Sequence, residues 1–390
     1  MLHDVVIVGA GPVGTTLALA LGDAALDVVA LDARPAGTIG RGDRSLALSH
    51  GARLIFERLS IWSAVASVAG AVTPITAIDI SQRGGFGLAR LDASEERIPA
   101  LGYVVSYRAL QQALDAALER TGLRIEHGTK VTSVGATPAY AAITAQRDST
   151  ASEFVARMVA VADGGGEAVA GIARRHHDYA QVALIAKVWT REPHRGLAFE
   201  RFTPDGPMAL LPEDDHYGLV WTTTPQQADV LIHLSDPEFF AALHQRFGSR
   251  LSAHVRGFDR VADRRVFPLA LEFAERIVSD RSVLLGNAAQ ALHPVAGQGF
   301  NLGVRDAYEL AQELLATPRD QIGARHRLAA YARRRRPDRA AGIAFTHGLL
   351  GIFGNDASLL RWPRGLALTM LDMLPPVKHI FTRAMLYGLH

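Results

Sequence analysis

The chain has 390 residues, of which 48% are hydrophobic and 21% are charged, and it carries a formal net charge of +2 and no cysteine. This composition excludes an intrinsically disordered chain, and the length predicts a globular protein of two or three lobes. Without cysteine there can be no disulfide, thiolate-bound zinc, iron–sulfur cluster or cysteine nucleophile. A net charge so close to zero argues against a nucleic-acid partner.

Two further features bear on localisation. No basic segment followed by a signal-type apolar core opens the chain, and no apolar run is long enough to span a bilayer. We therefore expect a cytoplasmic protein, with peripheral attachment to the inner membrane as an open alternative. The arginine run at 333–336 is interpreted as a solvated helix face that ends at Pro337, and contact with anionic lipid headgroups is the alternative.

The beginning of the chain predicts a strand–helix–strand unit followed by two helices. Residues 4–9 form a β-branched run typical of a strand buried on both faces, residues 12–22 are small and apolar, and residues 28–31 form a second buried strand. Such a βαβ opening predicts a parallel sheet. Helices are predicted over 45–59 and 108–120.

The rest of the chain predicts a second sheet and a helical end. Residues 123–161 alternate apolar and polar and finish in a buried strand before glycines, while 181–224 is strand-rich with turn residues between the strands. We interpret 181–224 as an antiparallel sheet of a second lobe. Helix is expected over 237–256 and after 306, with strands at 265–271 and 283–289 between them. No internal repeat separates the lobes, which indicates that they are interleaved in sequence.

A dinucleotide-binding fingerprint follows the first strand. Gly9, Gly11 and Gly14 satisfy G-x-G-x-x-G, and Asp32 closes the second strand about 20 residues later. Gly9 permits a tight turn, Gly11 lets the backbone approach a pyrophosphate, and Gly14 allows close helix–strand contact. The helix N-terminus offers free N–H groups, and Asp32 can accept hydrogen bonds from an adenosine ribose. The pattern predicts a bound dinucleotide but does not choose between FAD and NAD.

A second glycine-rich turn opens a later helix. Gly297, Gly299 and Gly303 leave the backbone bare where a large planar ring could approach. N–H groups of Gly299, Phe300 and Asn301 could stabilise negative charge on such a ring. The alternative is a plain loop-to-helix turn.

The chain resembles the flavoprotein aromatic hydroxylases, which are single-component FAD monooxygenases. Its motifs are ADGGGEAV at 162–169 and GNAAQALHPVAGQGFNLGVRDAYEL at 286–310. RGDRSLALSHG at 41–51, AFERFTPDGPMALLP at 198–212 and the YxxRRxPxR pattern at 331–339 place it closest to the hydroxylases of ubiquinone biosynthesis. Glu167 and Ala170 depart from the family's usual serine and arginine.

The resemblance implies an α/β fold, in which a Rossmann-like FAD-binding domain of the glutathione-reductase type is interleaved with an antiparallel-sheet substrate domain. The FAD-binding domain is expected over 1–75, 106–175 and 273–337, the substrate domain over 76–105 and 176–272, and a C-terminal helical region over 338–390.

The resemblance also implies a set of cofactor contacts. Arg44 and Arg108 are expected near the FAD, with surface ion pairs as the alternative, and Asp163 where flavin and nicotinamide meet. Together with the glycine patterns it assigns to FAD the residues Gly9, Gly11, Pro12, Val13, Gly14, Asp32, Ala33, Arg34, Arg44, Arg108, Asp163, Gly286, Asn287, Gly297, Gln298, Gly299, Phe300 and Asn301.

The implied reaction hydroxylates the phenol ring of a polyprenylated substrate of the 2-polyprenyl-6-methoxyphenol class. NADPH or NADH would bind transiently as electron donor, and dioxygen would be the co-substrate, through a flavin C4a-hydroperoxide. His293, beside Pro294, is the candidate for polarising the phenol or relaying its proton, and a structural histidine in a rigid turn is the alternative. A flavin-dependent polyprenyl reductase and a non-catalytic flavin-binding subunit are the competing functions.

The C-terminal stretch from Ala341 is rich in Leu, Phe and Met. It is interpreted either as helices that dock on a membrane surface or another subunit of an assembly, or as core helices of the substrate lobe. No metal site is predicted, because His176 and His177 would point apart on a strand and no ligand-spaced carboxylates accompany them.

Overall fold

The computed structural model describes residues 1–22, 24–38, 44–148, 150–248, 251, 254–292, 297–353 and 358–389. Its strands, in chain order, are β1 (Leu2–Val8), β2 (Val28–Asp32), β3 (Ser45–Ser49), β4 (Val72–Ile75), β5 (Ala77–Gln82), β6 (Leu88–Asp92), β7 (Gly102–Ser106), β8 (Arg124–His127), β9 (Lys130–Ala136), β10 (Ala141–Arg147), β11 (Thr150–Val161), β12 (Arg174–Thr190), β13 (Leu197–Thr203), β14 (Gly206–Glu213), β15 (His216–Thr223), β16 (Phe258–Ala274), β17 (Val278–Ser279), β18 (Ser282–Leu284) and β19 (Gln290–Ala291). Its α-helices are α1 (Pro12–Ala20), α2 (His50–Arg58), α3 (Trp62–Ala66), α4 (Tyr107–Thr121), α5 (Pro225–His233), α6 (Asp236–Phe247), α7 (Gln298–Leu315), α8 (Arg325–Phe353), α9 (Ser358–Met373) and α10 (Pro375–Tyr387).

The first sheet contains the predicted βαβ opening. Its strand order is β17-β18-β11-β1-β2-β8. Off this path, β10 also pairs with β11, and β9 pairs with β10. The pairs β1–β2, β1–β11, β2–β8 and β11–β18 are all parallel. Val5, Val6 and Ile7 have no exposed surface. Side chains of α1 and α7, and of the attached strands β9 and β10, pack in the same core, which explains the apolar, β-branched character of β1. The predicted parallel sheet is confirmed.

The second sheet is the predicted second lobe. Its eight strands are ordered β19-β16-β12-β15-β14-β13-β5-β6, and every neighbouring pair is antiparallel except β13–β5. One face packs on α5 and α6 through a fully buried cluster that includes Trp221, Phe239 and Leu243. Segments of this sheet alternate along the chain with segments of the first sheet, so the predicted interleaving is confirmed. The bounds of the six predicted segments stay a prediction.

A small third sheet lies between these two and corrects one prediction. It has the order β3-β7-β4, and β3 occupies 45–49, where a helix over 45–59 was expected. The helix α2 begins only at His50, because Ser49 caps it with a side chain that accepts a hydrogen bond from the Ala52 N–H. All five residues of β3 pair with β7 instead, so the tertiary partner overrides the helical pattern.

The C-terminal helices correct a second prediction. The arginine run was expected to end a solvated helix at Pro337, but α8 continues through Pro337 to Phe353. Arg335 and Asp338, on either side of the proline, are buried and ion-paired to each other, and this pairing holds the helix together where a backbone hydrogen bond is lost. Among the described helices, none is long and apolar enough to cross a membrane.

Candidate flavin and substrate site

The glycine-rich turn after β1 uses its three glycines differently. Gly9 has a φ of +94°, and a Cβ there would lie 2.7 Å from the Ala162 carbonyl oxygen. A Cβ at Gly14 would overlap the Gly9 carbonyl oxygen. A Cβ at Gly11 would meet no atom within 4 Å. The fold therefore requires Gly9 and Gly14, whereas the bare backbone at Gly11 faces open space large enough for another molecule to approach.

The start of α1 beside this turn suits a phosphate group. Its N-cap is Gly11, which offers no capping side chain, Pro12 is the first helical residue, and no acidic residue lies in the first turn. N–H groups at such a start carry partial positive charge and lack intrahelical partners. The turn lies at the carboxyl ends of parallel strands, where dinucleotides bind in α/β sheets. These residues fit the pyrophosphate of FAD.

The peptide of Ala10 holds the turn in shape. Its N–H donates to Asp32 Oδ2 at 2.8 Å. Its carbonyl oxygen accepts from Thr15 Oγ1 at 3.0 Å, Arg34 Nη2 at 2.8 Å and Gln111 Nε2 at 3.3 Å. Sequence reasoning missed Thr15 and Gln111. In the sequence, Arg108, Gln111 and Asp115 are spaced by three and four residues, which places them on one face of α4. This polar face could have indicated that Gln111 points toward the site.

Asp32 lies where the fingerprint places a ribose acceptor, and the structure adds a partner. Arg34 donates to the Asp32 carboxylate through its N–H, Nε and Nη2 groups at 2.7 to 3.2 Å. Burial opposes the ionised form, but the hydrogen bonds from Arg34 and Ala10 outweigh it and lower the pKa of Asp32. The carboxylate is therefore ionised, and Arg34 occupies part of the hydrogen-bonding capacity that a ribose hydroxyl would use. Ala33 between them is exposed.

The two predicted arginines lie near the start of α4. The Arg44 guanidinium is 4.5 Å from the centre of the Tyr107 ring, and the Arg44 carbonyl oxygen accepts from the Tyr107 N–H at 2.9 Å. Arg108 is exposed in the first turn of the same helix, which contacts α1 and sends Gln111 to the glycine-rich turn. On α4, Tyr107 and Arg108 thus come four and three residues before Gln111, which donates to the Ala10 carbonyl oxygen.

The start of α7 is tied to β3 by Asn301. Its Oδ1 accepts from the Ser49 N–H at 2.8 Å, and its Nδ2 donates to the carbonyl oxygens of Ala47 and Gly297 at 3.0 and 2.8 Å. Asn301 is 2% exposed. The side chain is therefore fully engaged within the protein, and only the backbone N–H of this residue could serve a flavin.

The glycines around α7 correct the reasoning that predicted them. Gly297 has a φ of +61°, and a Cβ there would lie 2.8 Å from the Ala47 Cβ. A Cβ at Gly303 would lie 2.9 Å from the Gly286 Cα. Protein atoms thus fill the space at these two glycines, so the requirement there is close packing and not a bare surface for the ring. Gly299 makes ordinary contact, with a Cβ position 3.6 Å from the Leu292 Cβ.

Two helix starts meet through Val13. A Cβ at Gly286, which has a φ of +56°, would lie 3.2 Å from Val13 Cγ2, and a Cβ at Gly303 would lie 3.1 Å from the same atom. Asn287, in the short 3-10 turn after β18, is exposed although its neighbours are buried. The structure therefore brings the start of α1, the start of α7 and Asn287 to one place.

The remaining predicted residues have different outcomes. The exposed Asp163 follows β11 beside Gly9, and its Oδ1 accepts from the N–H groups of Gly165 and Gly166 at 3.0 and 2.8 Å, so it shapes its own turn. Gln298 is buried, with its Nε2 3.8 Å from Met385 Sδ in α10. Phe300 packs against the cluster around β3 and β7. His293 and Pro294 lie outside the described residues.

A buried ion network supports the far side of α7. Arg305 on this helix pairs with Asp338 at 2.9 Å, and Arg335 pairs with both Asp306 and Asp338 at 2.7 and 2.6 Å. Gln290 Nε2 donates to the same Asp306 at 2.9 Å. Tyr331 also donates to the Asp306 carbonyl oxygen at 3.0 Å. Tyr331 and Arg335 of the YxxRRxPxR pattern thus help to fix α7 against α8, a role that the spacing alone did not indicate.

The comparisons with known proteins decide the family. A model of the family described as "FAD binding domain" matches residues 3–346. The chain belongs to this FAD-binding family. The family member UbiL of Rhodospirillum rubrum, a ubiquinone hydroxylase, is 34% identical over 395 residues, which cover 97% of this chain and 88% of the relative. The 3-demethoxyubiquinol 3-hydroxylase of Escherichia coli is 30% identical over 323 residues, which cover 80% and 79%.

A solved structure gives the same fold. The p-nitrophenol 4-monooxygenase PnpA of Pseudomonas putida matches with a TM-score of 0.75 at 18% identity, over 100% of this chain and 99% of that one. The predicted FAD-binding fold, with its antiparallel second sheet and C-terminal helices, is confirmed. So is the resemblance to the ubiquinone-biosynthesis hydroxylases. This FAD-binding family member is a flavin-dependent monooxygenase that uses FAD and dioxygen, and NAD(P)H is the electron donor typical of the family.

Proposed function

We propose that this monooxygenase hydroxylates the phenol ring of a polyprenylated ubiquinone precursor, of the 2-polyprenyl-6-methoxyphenol class, with NADPH as electron donor. The observation that carries the proposal is the second face of the large antiparallel sheet. Ile78, Ile80, Ala209, Leu211 and Val220 alternate with buried neighbours and are all only half-buried. An apolar surface that stays accessible inside a fold suits an apolar ligand.

The neighbourhood of this face supports an aromatic substrate held near the flavin. Ile78 and Ile80 pack with Phe381 and Tyr387 of α10, and α10 reaches Gln298 at the start of α7. The bound flavin supplies the activated oxygen. The protein's part is to bind FAD at the two helix starts, to hold the ring beside it and to exclude water. A polyprenyl chain would gain free energy from the apolar lining at about 25 cal/mol per Å² of buried surface.

The test is turnover with a defined substrate. Purified, FAD-loaded protein is mixed with NADPH and 2-geranyl-6-methoxyphenol, and hydroxylated product, NADPH oxidation and oxygen uptake are measured together. We expect the phenol to accelerate NADPH oxidation and to yield one hydroxylated product per dioxygen consumed. NADPH oxidation without any hydroxylated product from this phenol would contradict the proposal and favour a reductase.

We propose in addition that the C-terminal helices lie on a lipid surface from which the prenylated substrate is taken. Six apolar side chains recur at spacings of three and four along α9 and α10 and are 48 to 74% exposed: Trp362, Leu366, Met370, Met373, Val377 and Ile380. An exposed apolar stripe of this length indicates an interaction surface. Trp362 suits the boundary between lipid and water, because its ring is apolar and its N–H is polar.

The lipid proposal is tested with vesicles of phosphatidylcholine and phosphatidylglycerol. We expect the wild-type protein to co-sediment with them, and the double variant Trp362→Ser/Ile380→Ser to remain in the supernatant with its FAD content unchanged. The control is Val230→Ser, which removes an exposed apolar side chain on α5. Equal sedimentation of the wild type and the double variant would refute lipid docking. A stable complex with a second protein that both Trp362 and Ile380 require would instead favour assembly docking.

A further inference from the structure

A single carboxylate interrupts the apolar face of the antiparallel sheet. Glu200 lies in β13, and its register partners are Ala209 in β14 and Ile80 in β5. Ala198 and Phe202, two residues away on the same strand, share its face. The neighbours that surround the carboxylate on the sheet are therefore all apolar.

The residues next to Glu200 in the sequence, Phe199 and Arg201, lie on the opposite face of β13. Phe199 belongs to the core beneath α5 and α6, and Arg201 donates to the carbonyl oxygen of Arg246 at 2.8 Å and to Ser81 Oγ at 3.1 Å. Arg201 thus points away from Glu200, and the two adjacent charges in the sequence do not form a pair. The alternation of the strand separates a structural arginine from an isolated acid.

Glu200 has no hydrogen-bond or ion-pair partner among the described residues. It is enclosed deep in the molecule, and burial raises the pKa of its carboxyl group to about 8. It nevertheless keeps part of its side-chain surface accessible. A group that lies deep and yet keeps accessible surface borders a space that a ligand can reach.

Other elements pack beside this face of the sheet, and none of their described residues supplies a charge to Glu200. Leu349 of α8 packs with Phe202 and Ile80, and Val104 of β7 packs with Ala198 and Leu211. The titratable side chains on the surrounding elements have other contacts: Tyr387 with His50, Tyr179 with His347, Lys187 with Asp263, and Lys378 with Glu95 and Asp372. The buried Arg364 of α9, which packs on β5 and β6, also has an interaction of its own. An unpartnered acid in an apolar wall costs free energy that folding alone does not recover.

We propose that Glu200 is the residue that binds the ring hydroxyl of the phenol substrate and takes up its proton. This inference rests on the proposed function. In the step assigned to Glu200, the O–H bond of the phenol breaks and an O–H bond forms on a carboxylate oxygen. The electron pair left on the ring oxygen raises the electron density of the ring, which favours attack on an electrophilic oxygen. The proton returns to the ring oxygen when the hydroxylated ring becomes aromatic again, so no net proton is lost through Glu200.

The same carboxylate selects the class of substrate. A neutral phenol can donate its hydrogen bond to Glu200, whereas an aromatic carboxylate would bring its own negative charge onto an apolar face, where the ionised form of Glu200 would also repel it. The Glu200 site therefore takes neutral phenols with an apolar substituent and rejects prenylated hydroxybenzoates. A carboxyl group whose pKa lies near the working pH can both accept and return a proton.

The test compares the wild type with Glu200→Gln, which keeps the side-chain shape but cannot take up a proton. With 2-geranyl-6-methoxyphenol, we expect kcat/KM for Glu200→Gln to fall roughly ten- to hundred-fold, as for the loss of a hydrogen bond to a charged group. Wild-type kcat/KM should rise with pH through the carboxyl pKa of about 8, since only the ionised form accepts the proton, and the profile of the variant should lose this rise. Glu153→Gln, an exposed acid on β11, is the control for removal of one charge.

A binding measurement separates this proposal from the proposed function. The change in flavin absorbance on addition of the geranyl phenol, without NADPH, gives its Kd for each protein. We expect weaker phenol binding by Glu200→Gln and tighter binding of 3-geranyl-4-hydroxybenzoate than by the wild type. Wild-type Kd values and pH profile in Glu200→Gln would overturn the role of Glu200 while leaving the function intact. A wild type that binds the phenol through Glu200 but forms no hydroxylated product would overturn only the function, and no binding by either protein would overturn both.

Discussion

Replacement of Gly11 by glutamate separates binding of FAD from folding of the protein. A Cβ at this position meets no protein atom within 4 Å, and the φ of −70° and ψ of 177° are accessible to any residue. We therefore expect Gly11→Glu to fold with a melting temperature like that of wild-type apoprotein. The new carboxylate would occupy the place where the pyrophosphate approaches the start of α1.

The expected loss of affinity follows from the charges. Two unit charges about 4 Å apart repel by about 4 kcal/mol at an effective dielectric constant of about 20. At 1.4 kcal/mol for each factor of ten, this repulsion corresponds to roughly a thousand-fold weaker binding of FAD. The steric cost of the longer side chain adds to this, so the purified variant should be colourless.

The assay is titration of apoprotein with FAD, followed by quenching of flavin fluorescence, with far-ultraviolet circular dichroism as the measure of folding. Gly14→Ala is the contrasting variant, because its Cβ would overlap the Gly9 carbonyl oxygen and the apoprotein itself should lose stability. Gly11→Ala should fold normally and bind FAD more weakly than the wild type but better than Gly11→Glu. A yellow Gly11→Glu protein with a wild-type Kd for FAD would refute this account of the turn.

Three further variants or conditions test the supports of the site. Asn301→Ala leaves the Ser49 N–H and the Ala47 carbonyl oxygen without their partner, and should lower the free energy of unfolding by about 2 to 4 kcal/mol, as measured by urea denaturation. Asp338→Asn removes the buried acid between Arg305 and Arg335 and should cost about 3 to 5 kcal/mol, whereas Asp280→Asn, in an exposed pair with Arg325, should have no measurable effect. Burial alone would raise the pKa of Asp338, but the two arginines lower it below the usual 3.8. The stability that this acid contributes is therefore present above about pH 4 and lost as the pH falls through its folded pKa, so the melting temperature of the wild type should fall more steeply below pH 4 than that of Asp338→Asn. Parallel acid profiles of the two proteins would contradict this assignment.

The βαβ opening could be predicted because its signals are local. The buried run of β1, the glycine triplet and the acid at the end of β2 all lie within 32 residues, and each has one physical reason that does not depend on the rest of the chain. The motifs around Asp163 and Asn287 were recognisable for the same reason. In the structure they lie at neighbouring strand ends, beside Gly9 and Val13 respectively.

The predictions that were wrong or incomplete involve partners distant in sequence. The segment 45–49 became strand β3 because β7, more than 50 residues later, pairs with it. Arg335 was read as part of a solvated face because its acidic partner Asp306 lies 29 residues earlier. A helical pattern shows which residues share a face, but it does not show what covers that face.

Glu200 could not be identified as a site residue from the sequence alone. In the sequence it stands beside Arg201 within FERF, where an ion pair with its neighbour is the ordinary interpretation. Only the strand register shows that Arg201 faces α6 and that Glu200 faces Ile80 and Ala209. The available signal was an acid that alternates with Ala198 and Phe202 on one face of the strand, and its meaning depends on what surrounds that face.

The start of α7, where we expect the flavin, and the sheet face around Glu200, where we expect the substrate, are held in place by separate parts of the chain. The start of α7 is held on one side by Asn301 and β3, and on the other by the ion pair of Arg305 with Asp338, so contacts within the protein position it without a ligand. Glu200 lies in a different sheet, and α10 joins the two by packing on Ile80 and reaching Gln298. The distance between the phenol ring of the substrate and the flavin therefore depends on how α10 packs. A variant that loosens α10 should uncouple NADPH oxidation from hydroxylation while FAD stays bound. Substitution of Phe381, which packs between α8 and the sheet face around Glu200, is the direct way to produce that uncoupling.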